Sequence, residues 1–262
     1  MKLAAQEQLL PGRSLQEKFA FAVESGFDAI ELRGKGDFHF AGLAHRAEAR
    51  ARRRRGHADR VRRHAALHRR LRPGQAQGRH PAAALPADGH RRAGRRRRHD
   101  PPPPGASSRS GCPPFTPPRS AADDREVLAE ALGILGEHAQ RNGVLIMLEP
   151  LNRYENHMVN TLAEAVSYCA MDSIRVVGDT YHMNIEEDDP CRSLVEAAPY
   201  LAHMQISESN RNQPGTGHLD WGAQLAALDA VGYDGYLALE CRLRGEPEIV
   251  LPQTAAFIRK FL

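Results

Sequence analysis

The sequence predicts an α/β chain of the (β/α)8 TIM-barrel type, incomplete or disordered across residues 43–112, and three observations predict it. Near-continuous apolar runs alternate with helical repeats from residue 144 to the end, the pattern of a parallel sheet covered by helices. About six βα units are visible, and a 70-residue hole after the second strand has the length of two more. No G-x-G-x-x-G follows any strand, so a doubly wound sheet is the weaker reading.

In chain order, the opening residues lead into a helix announced by Ser14 and Glu17 at capping-box spacing; Leu15, Phe19 and Val23 form its apolar stripe and Gly26 ends it. Asp28–Leu32 (DAIEL) reads as a short strand. Ser120 with Asp123 opens a second helix, Leu128, Leu132, Leu135 and Ala139 recur along one face, and Asn142-Gly143 closes it. Strands are then expected at Val144–Leu148, Ile174–Gly178, His203–Ser207 and Tyr236–Leu239. Helices are expected at about Thr161–Ala170, Pro190–Ala198, Trp221–Ala230 and Glu248–Phe261.

A chain of 262 residues fits one large domain, and residues 1–262 are read as a single barrel. No run approaches the roughly 18 apolar residues of a membrane span. MKLAAQEQLLPGRS lacks the long apolar core of a secretory signal. Cys112, Cys169, Cys191 and Cys241 are scattered without a C-x-x-C pair, which argues against a disulfide scaffold or zinc knuckle and for the cytoplasm.

The net charge of +4 hides an asymmetry. Residues 43–112 hold 20 arginines, no lysine and four acids, a charge of +16 that leaves −12 on the rest. The same stretch has five large aliphatic residues and no aromatic one, too little to offset chain entropy, so its composition predicts disorder. Three readings stand: a basic nucleic-acid-binding arm, a disordered linker, or GC-rich coding DNA translated out of frame between two compensating shifts. The absence of aromatic residues for stacking and the acidic remainder of the chain argue against nucleic acid. The loss of all periodicity between about Phe40 and Pro113 favours the frame change, in which case the chain as written is an inactive product. Sequencing the gene across these codons separates the readings.

Each of the last four strands ends in a polar residue: Glu149 after VLIML, Asp179 after IRVVG, Gln205 within HMQIS and Glu240 after YLAL. In a barrel these C-terminal ends converge. One acid after an apolar strand is ordinarily a cap, but four polar residues on successive strands describe an oxygen-rich pocket. Such a pocket suits Mn²⁺, Mg²⁺ or Co²⁺, and without a cation its three carboxylates would raise one another's pKa values. Glu155, His182 and Arg211 lie in the following segments as further candidates. Taken alone, His182 reads equally as a site residue or a solvated loop histidine, and Arg211 as a site residue or a surface arginine; His203 reads as a hydrogen-bonded core residue sharing a strand face with Gln205.

The stretches EPLNRYE, DTYHMNIEE, HMQISESNRNQPGTGHLDW and GYDGYLALE, in this order and spacing, resemble the sugar isomerase/epimerase family with the xylose-isomerase-like barrel, and among them the ketose 3-epimerases of the tagatose/psicose type. The resemblance covers residues 1–40 and 113–262. It implies a divalent metal, Mn²⁺ first, held by Glu149, Asp179, Gln205 and Glu240. The position matching Gln205 is usually histidine in ketose 3-epimerases, and glutamine there is closer to the hydroxypyruvate-isomerase branch. The chemistry implied is proton transfer beside a ketose carbonyl through an enediolate, with Glu149 and Glu240 as the catalytic acid and base on opposite faces. His182 and Arg211 are then expected to bind the oxygen where charge develops, and Glu155 a terminal hydroxyl.

An aldose–ketose isomerase of the hydroxypyruvate-isomerase kind or an inosose dehydratase would use nearly the same residues. An apurinic endonuclease on this barrel needs more histidine ligands than the ordered part offers. The expected partners are a sugar substrate and further copies of the chain in a dimer or tetramer, with neither membrane nor nucleic acid among them.

Overall fold

The computed structural model describes residues 1–32 and 119–262, so the expectations for residues 43–112 lie outside the described residues. The first strand, β1 (Lys2–Gln6), is followed by α1 (Leu15–Glu24) and β2 (Ala29–Glu31). Ser14 caps α1 as its spacing predicts: its Oγ accepts from Glu17 N at 3.2 Å, and Glu17 Oε2 accepts from Ser14 N at 3.1 Å. The expected apolar stripe is corrected, because Phe19 and Val23 are exposed while Lys18 and Ala22 are buried. Lys18 tolerates this position because its ammonium donates to the carbonyl and carboxylate oxygens of Glu7, at 2.6 and 2.9 Å.

The second part opens with α2 (Ala121–Asn142), capped by Ser120 as expected and closed by Gly143 in the left-handed region at φ 62°. Next come β3 (Ile146–Leu148), α3 (Leu162–Val166), β4 (Ile174–Asp179), α4 (Thr180–Glu186) and α5 (Pro190–Ala197). β5 (Leu201–Ile206), α6 (Trp221–Ala230), β6 (Tyr236–Leu239) and α7 (Pro247–Ile258) complete the described elements. α3 is half the expected length, and α4, at seven residues, is too short to show a helical period in the sequence.

All six strands are parallel, in the order β2-β1-β6-β5-β4-β3. The first strand therefore lies between the second and the last, Leu3 opposite Leu237 and Ala4 opposite Ala29, which is the adjacency of a closed βα barrel. The two edge strands, β2 and β3, are those that flank residues 33–118 in sequence. The sheet also curls. Glu31 on β2 bonds to His203 and Gln205 on β5, across the two intervening strands β1 and β6, which only an inward-facing concave sheet permits.

Helices cover the outer face, where Leu3, Leu162, Ile174, Leu194, Met204, Ile206, Leu225 and Leu251 are fully buried. Each such side chain contributes about 1.5–3 kcal/mol relative to exposure. The inner face is polar instead, and its polar residues sit at one level: Gln6 pairs with Glu31, and Asp179 with Gln205, at the C-terminal ends of their strands. Among the described residues, no helix is long and apolar enough to cross a membrane.

Candidate active site

The strand ends bring the predicted polar residues together. Glu149 follows β3, Asp179 ends β4, Gln205 lies in β5 and Glu240 follows β6. Asp179, Gln205 and His182 are fully buried, at 1%, 0% and 2% exposure. Asp179 also caps α4, its Oδ1 accepting from Tyr181 N at 2.8 Å. That capping places His182 one turn into the helix, with its Nε2 3.7 Å from Glu149 Oε1 and 4.0 Å from Asp179 Oδ2. His182, a candidate substrate-binding residue, is thus a buried helical residue beside the carboxylates.

Arg211 comes from the loop after β5. One guanidinium nitrogen donates to both oxygens of Asp179, at 2.8 and 2.6 Å, and to Ser207 Oγ at 3.2 Å. A second nitrogen lies 3.5 Å from Glu240 Oε1, and the guanidinium stacks 5.0 Å from the ring centre of Tyr181. Arg211 is the one non-glycine among the described residues with a positive φ, 61°. Its backbone is held there by Arg211 N donating to Glu208 O and Arg242 N donating to Arg211 O, both at 2.8 Å. Arg211, a candidate substrate-binding residue, thus lies within the carboxylate cluster.

The electrostatics follow from crowding. Burial, then the Glu240 and Asp179 charges, push Glu149 well above the usual carboxylate range. Burial and Asp179 raise Glu240 to about 7 against the pull of Arg211. Burial also acts on Asp179, but Arg211 and His182 outweigh it and hold Asp179 low. Glu240 Oε2 is buried without a hydrogen-bond partner among the described residues.

Three groups escaped the sequence reading. Glu31, at the end of DAIEL, is buried, and its oxygens accept from Gln6 Nε2 at 2.8 Å, Gln205 Nε2 at 3.0 Å and His203 Nε2 at 2.6 Å. The signal that would have found it is the one used for the others, an acid ending an apolar strand. His203 is the hydrogen-bonded core histidine that was expected. Asn152, inside EPLNRYE, is buried and donates from its backbone N–H to His182 Nδ1 at 3.1 Å; its side-chain nitrogen lies 2.8 Å from the same atom and donates to Glu155 Oε1 at 3.2 Å. Glu155 is exposed and reaches the cluster only through this amide. Glu208 accepts four hydrogen bonds that shape the loop carrying Arg211.

The residues fit a divalent cation. Glu31, Glu149, Asp179 and Glu240 supply four carboxyl groups to one interior, against one guanidinium that contacts two of them. Glu149, Asp179 and His182 offer ligand atoms that all lie within 4.8 Å of one another. The hydrogen bonds refine that trio. A backbone N–H can only donate, so His182 Nδ1 is an acceptor and the neutral ring carries its proton on Nε2. An N–H has no lone pair for a metal, so His182 presents a donor to the cluster, and the remaining groups form a hard oxygen set.

A sequence model of the xylose isomerase-like TIM barrel family matches residues 104–261, more than half of the chain. The 3-dehydro-D-guloside 4-epimerase of Escherichia coli (strain K12) is 43% identical over 137 residues, 51% of this chain and 52% of that protein. The D-psicose 3-epimerase of Agrobacterium fabrum is 35% identical over 129 residues, 48% of this chain and 45% of that protein. The chain spans about half the length of the curated relatives it matches. The crystal structure of apo 3-keto-D-glucoside 4-epimerase from E. coli superposes with a TM-score of 0.73 at 29% identity, covering 99% of each chain.

Proposed function

This chain belongs to the xylose isomerase-like TIM barrel family, and we propose that it is a divalent-metal-dependent sugar epimerase that inverts a carbon beside a carbonyl. One observation carries the reading: the partly buried carboxyl groups of Glu149 and Glu240 converge with buried Asp179 beside one arginine, a crowding that holds Glu149 and Glu240 above their ordinary range and that a bound cation would relieve. Two carboxyl groups beside a bound sugar can take a proton from a carbon and return one to it, the work of a general acid–base pair. The named relatives agree in this chemistry: one inverts position 4 of a 3-keto sugar, the other position 3 of a ketose.

Glu149, Asp179, Gln205 and Glu240 would hold the ion, Mn²⁺ first and Mg²⁺ or Co²⁺ in its place, as oxygen donors. Bound there, it supplies positive charge where the sugar oxygens gain negative charge. Of Glu149 and Glu240, one takes the carbon-bound proton and the other returns a proton to the opposite face. Arg211, whose second nitrogen lies beside Glu240, would donate toward the oxygen that becomes enediolate, and the Nε2–H of His182 would do the same. Glu155, tied through Asn152 to His182, binds a hydroxyl at the far end of the sugar.

The test is incubation of the chain with Mn²⁺ and panels of ketoses and 3-keto glycosides in deuterated water. Epimer formation with deuterium at the inverted carbon is expected. Glu149→Gln and Glu240→Gln should each abolish turnover while keeping the far-UV circular dichroism; substantial turnover in either removes the two-carboxylate mechanism. Gln205 favours one second reading, the hydroxypyruvate-isomerase-like aldose–ketose isomerase, which would move the carbonyl instead. Loss of water would mark an inosose-dehydratase type. Product analysis separates all three.

A further inference from the structure

A glutamine serves as an oxygen ligand only when its amide is turned the right way, since its carbonyl and NH2 ends have nearly the same shape. We propose that Glu31 is the positioning residue that sets this turn for Gln205, an inference that rests on Gln205 belonging to the metal site. Glu31 Oε1 receives Gln205 Nε2–H at 3.0 Å and Gln6 Nε2–H at 2.8 Å, while Glu31 Oε2 receives His203 Nε2–H at 2.6 Å. Three N–H donors converge on one buried group, so that group is the ionised acceptor and cannot exchange roles with its partners. Turning the amide of Gln205 over would set its carbonyl oxygen against a carboxylate oxygen. With the NH2 end committed to Glu31, the carbonyl end is turned away from it, and Asp179 is the paired neighbour of Gln205 on β4.

The arrangement also explains His203. Residues 203 and 205 share the inner face of β5, and both donate across the lumen to the end of β2. His203 occupies the Glu31 oxygen that Gln205 and Gln6 leave, so the carboxylate cannot rotate to release the amide. An anion bonded to an amide N–H further enriches its carbonyl oxygen, and such outer partners ordinarily change metal affinity by about 10- to 100-fold.

The experiment is Mn²⁺ titration of the full chain by calorimetry and electron paramagnetic resonance, without substrate. Gln205→Ala should weaken Mn²⁺ binding, and Glu31→Gln should weaken it about 10- to 100-fold. Gln205→Glu should weaken it too, because it sets two carboxylates face to face, whereas a free-standing ligand would gain affinity from the added charge. The exchange variant Glu31→Gln with Gln205→Glu reverses donor and acceptor and should recover most of the binding. If Glu31→Gln fails to fold, Gln205→Glu and the exchange variant still decide. Unchanged affinity in Glu31→Gln, tighter binding in Gln205→Glu, or no recovery in the exchange variant overturns the inference. Wild-type affinity in Gln205→Ala, or no Mn²⁺ binding by the unaltered chain, overturns the metal site itself and the inference with it.

Discussion

Replacing Glu208 by alanine removes the acceptor around which the loop from Ser207 to Trp221 is wound. Glu208 is 1% exposed, and its Oε1 accepts from Trp221 Nε1 at 2.7 Å and Gly215 N at 2.9 Å. Its Oε2 accepts from Ser209 N at 3.1 Å and Leu219 N at 3.3 Å. Gly217 lies so close that a Cβ there would sit 2.4 Å from Oε2, so the backbone is moulded onto the carboxylate. A hydrogen bond to a charged group contributes about 1.5–3 kcal/mol, but the donors on Ser209, Gly215 and Leu219 belong to residues that can turn to water. The buried Trp221 indole cannot, so the expected loss is about 3 kcal/mol. At about 2–4 °C per kcal/mol, that lowers the melting temperature by about 6–12 °C. Trp221 is the single tryptophan of the chain, so its fluorescence reports this contact alone. Because the loop carries Arg211, whose N donates to Glu208 O, the variant should also lower kcat. A Glu208→Ala chain that melts within about 2 °C of the parent, with unaltered tryptophan emission, would refute the reasoning.

Three further outcomes are expected. The Glu31 carboxyl, burdened by burial but held by His203, Gln6 and Gln205, falls from 4.5 to about 2. A depressed folded-state pKa gives stability that is complete above 4.5 and lost as pH falls toward 2, roughly 3 kcal/mol at 1.36 kcal/mol per unit. Urea midpoints measured between pH 6 and 2.5 should therefore fall more steeply for the parent than for a folded Glu31→Gln variant. Mn²⁺ at about a hundred times its dissociation constant should stabilise the chain by about 2.7 kcal/mol, and a chelator should reverse the shift in a thermal melt. Arg211→Lys keeps the charge but cannot reach Asp179 and Glu240 together, so kcat should drop by about 100-fold, near the effect of losing one oriented donor, with the fold intact by circular dichroism.

Much of the architecture was legible because it is written in local pattern. The apolar runs at 174–178 and 236–239 are strands, and Ser14, Ser120 and Gly143 bound their helices as their chemistry requires. The site was legible to the same extent: Glu149, Asp179, Gln205 and Glu240 stand where apolar strands end, and a barrel brings such ends together. The placement of His182 was less legible, because Asp179 caps α4, a seven-residue helix too short to show a period in the sequence. The solvent-facing Phe19 and Val23 show the limit of periodicity: the stripe was real, but Lys18 found a buried carboxylate and took the inner face.

By itself, then, the sequence determined the alternation of strand and helix, the parallel sheet and the polar strand ends, because these depend on propensities and spacings within a few residues. Only the tertiary structure decided which partners those side chains take. Glu31 meets Gln205 across 174 positions, Asn152 meets His182 across 30, and Arg211 meets Asp179 across 32. A carboxylate's pKa, a histidine's tautomer and an amide's orientation are properties of such neighbours. They exist only once the sheet has curled and excluded water, since it is the loss of solvent that forces each buried polar atom to find a specific partner.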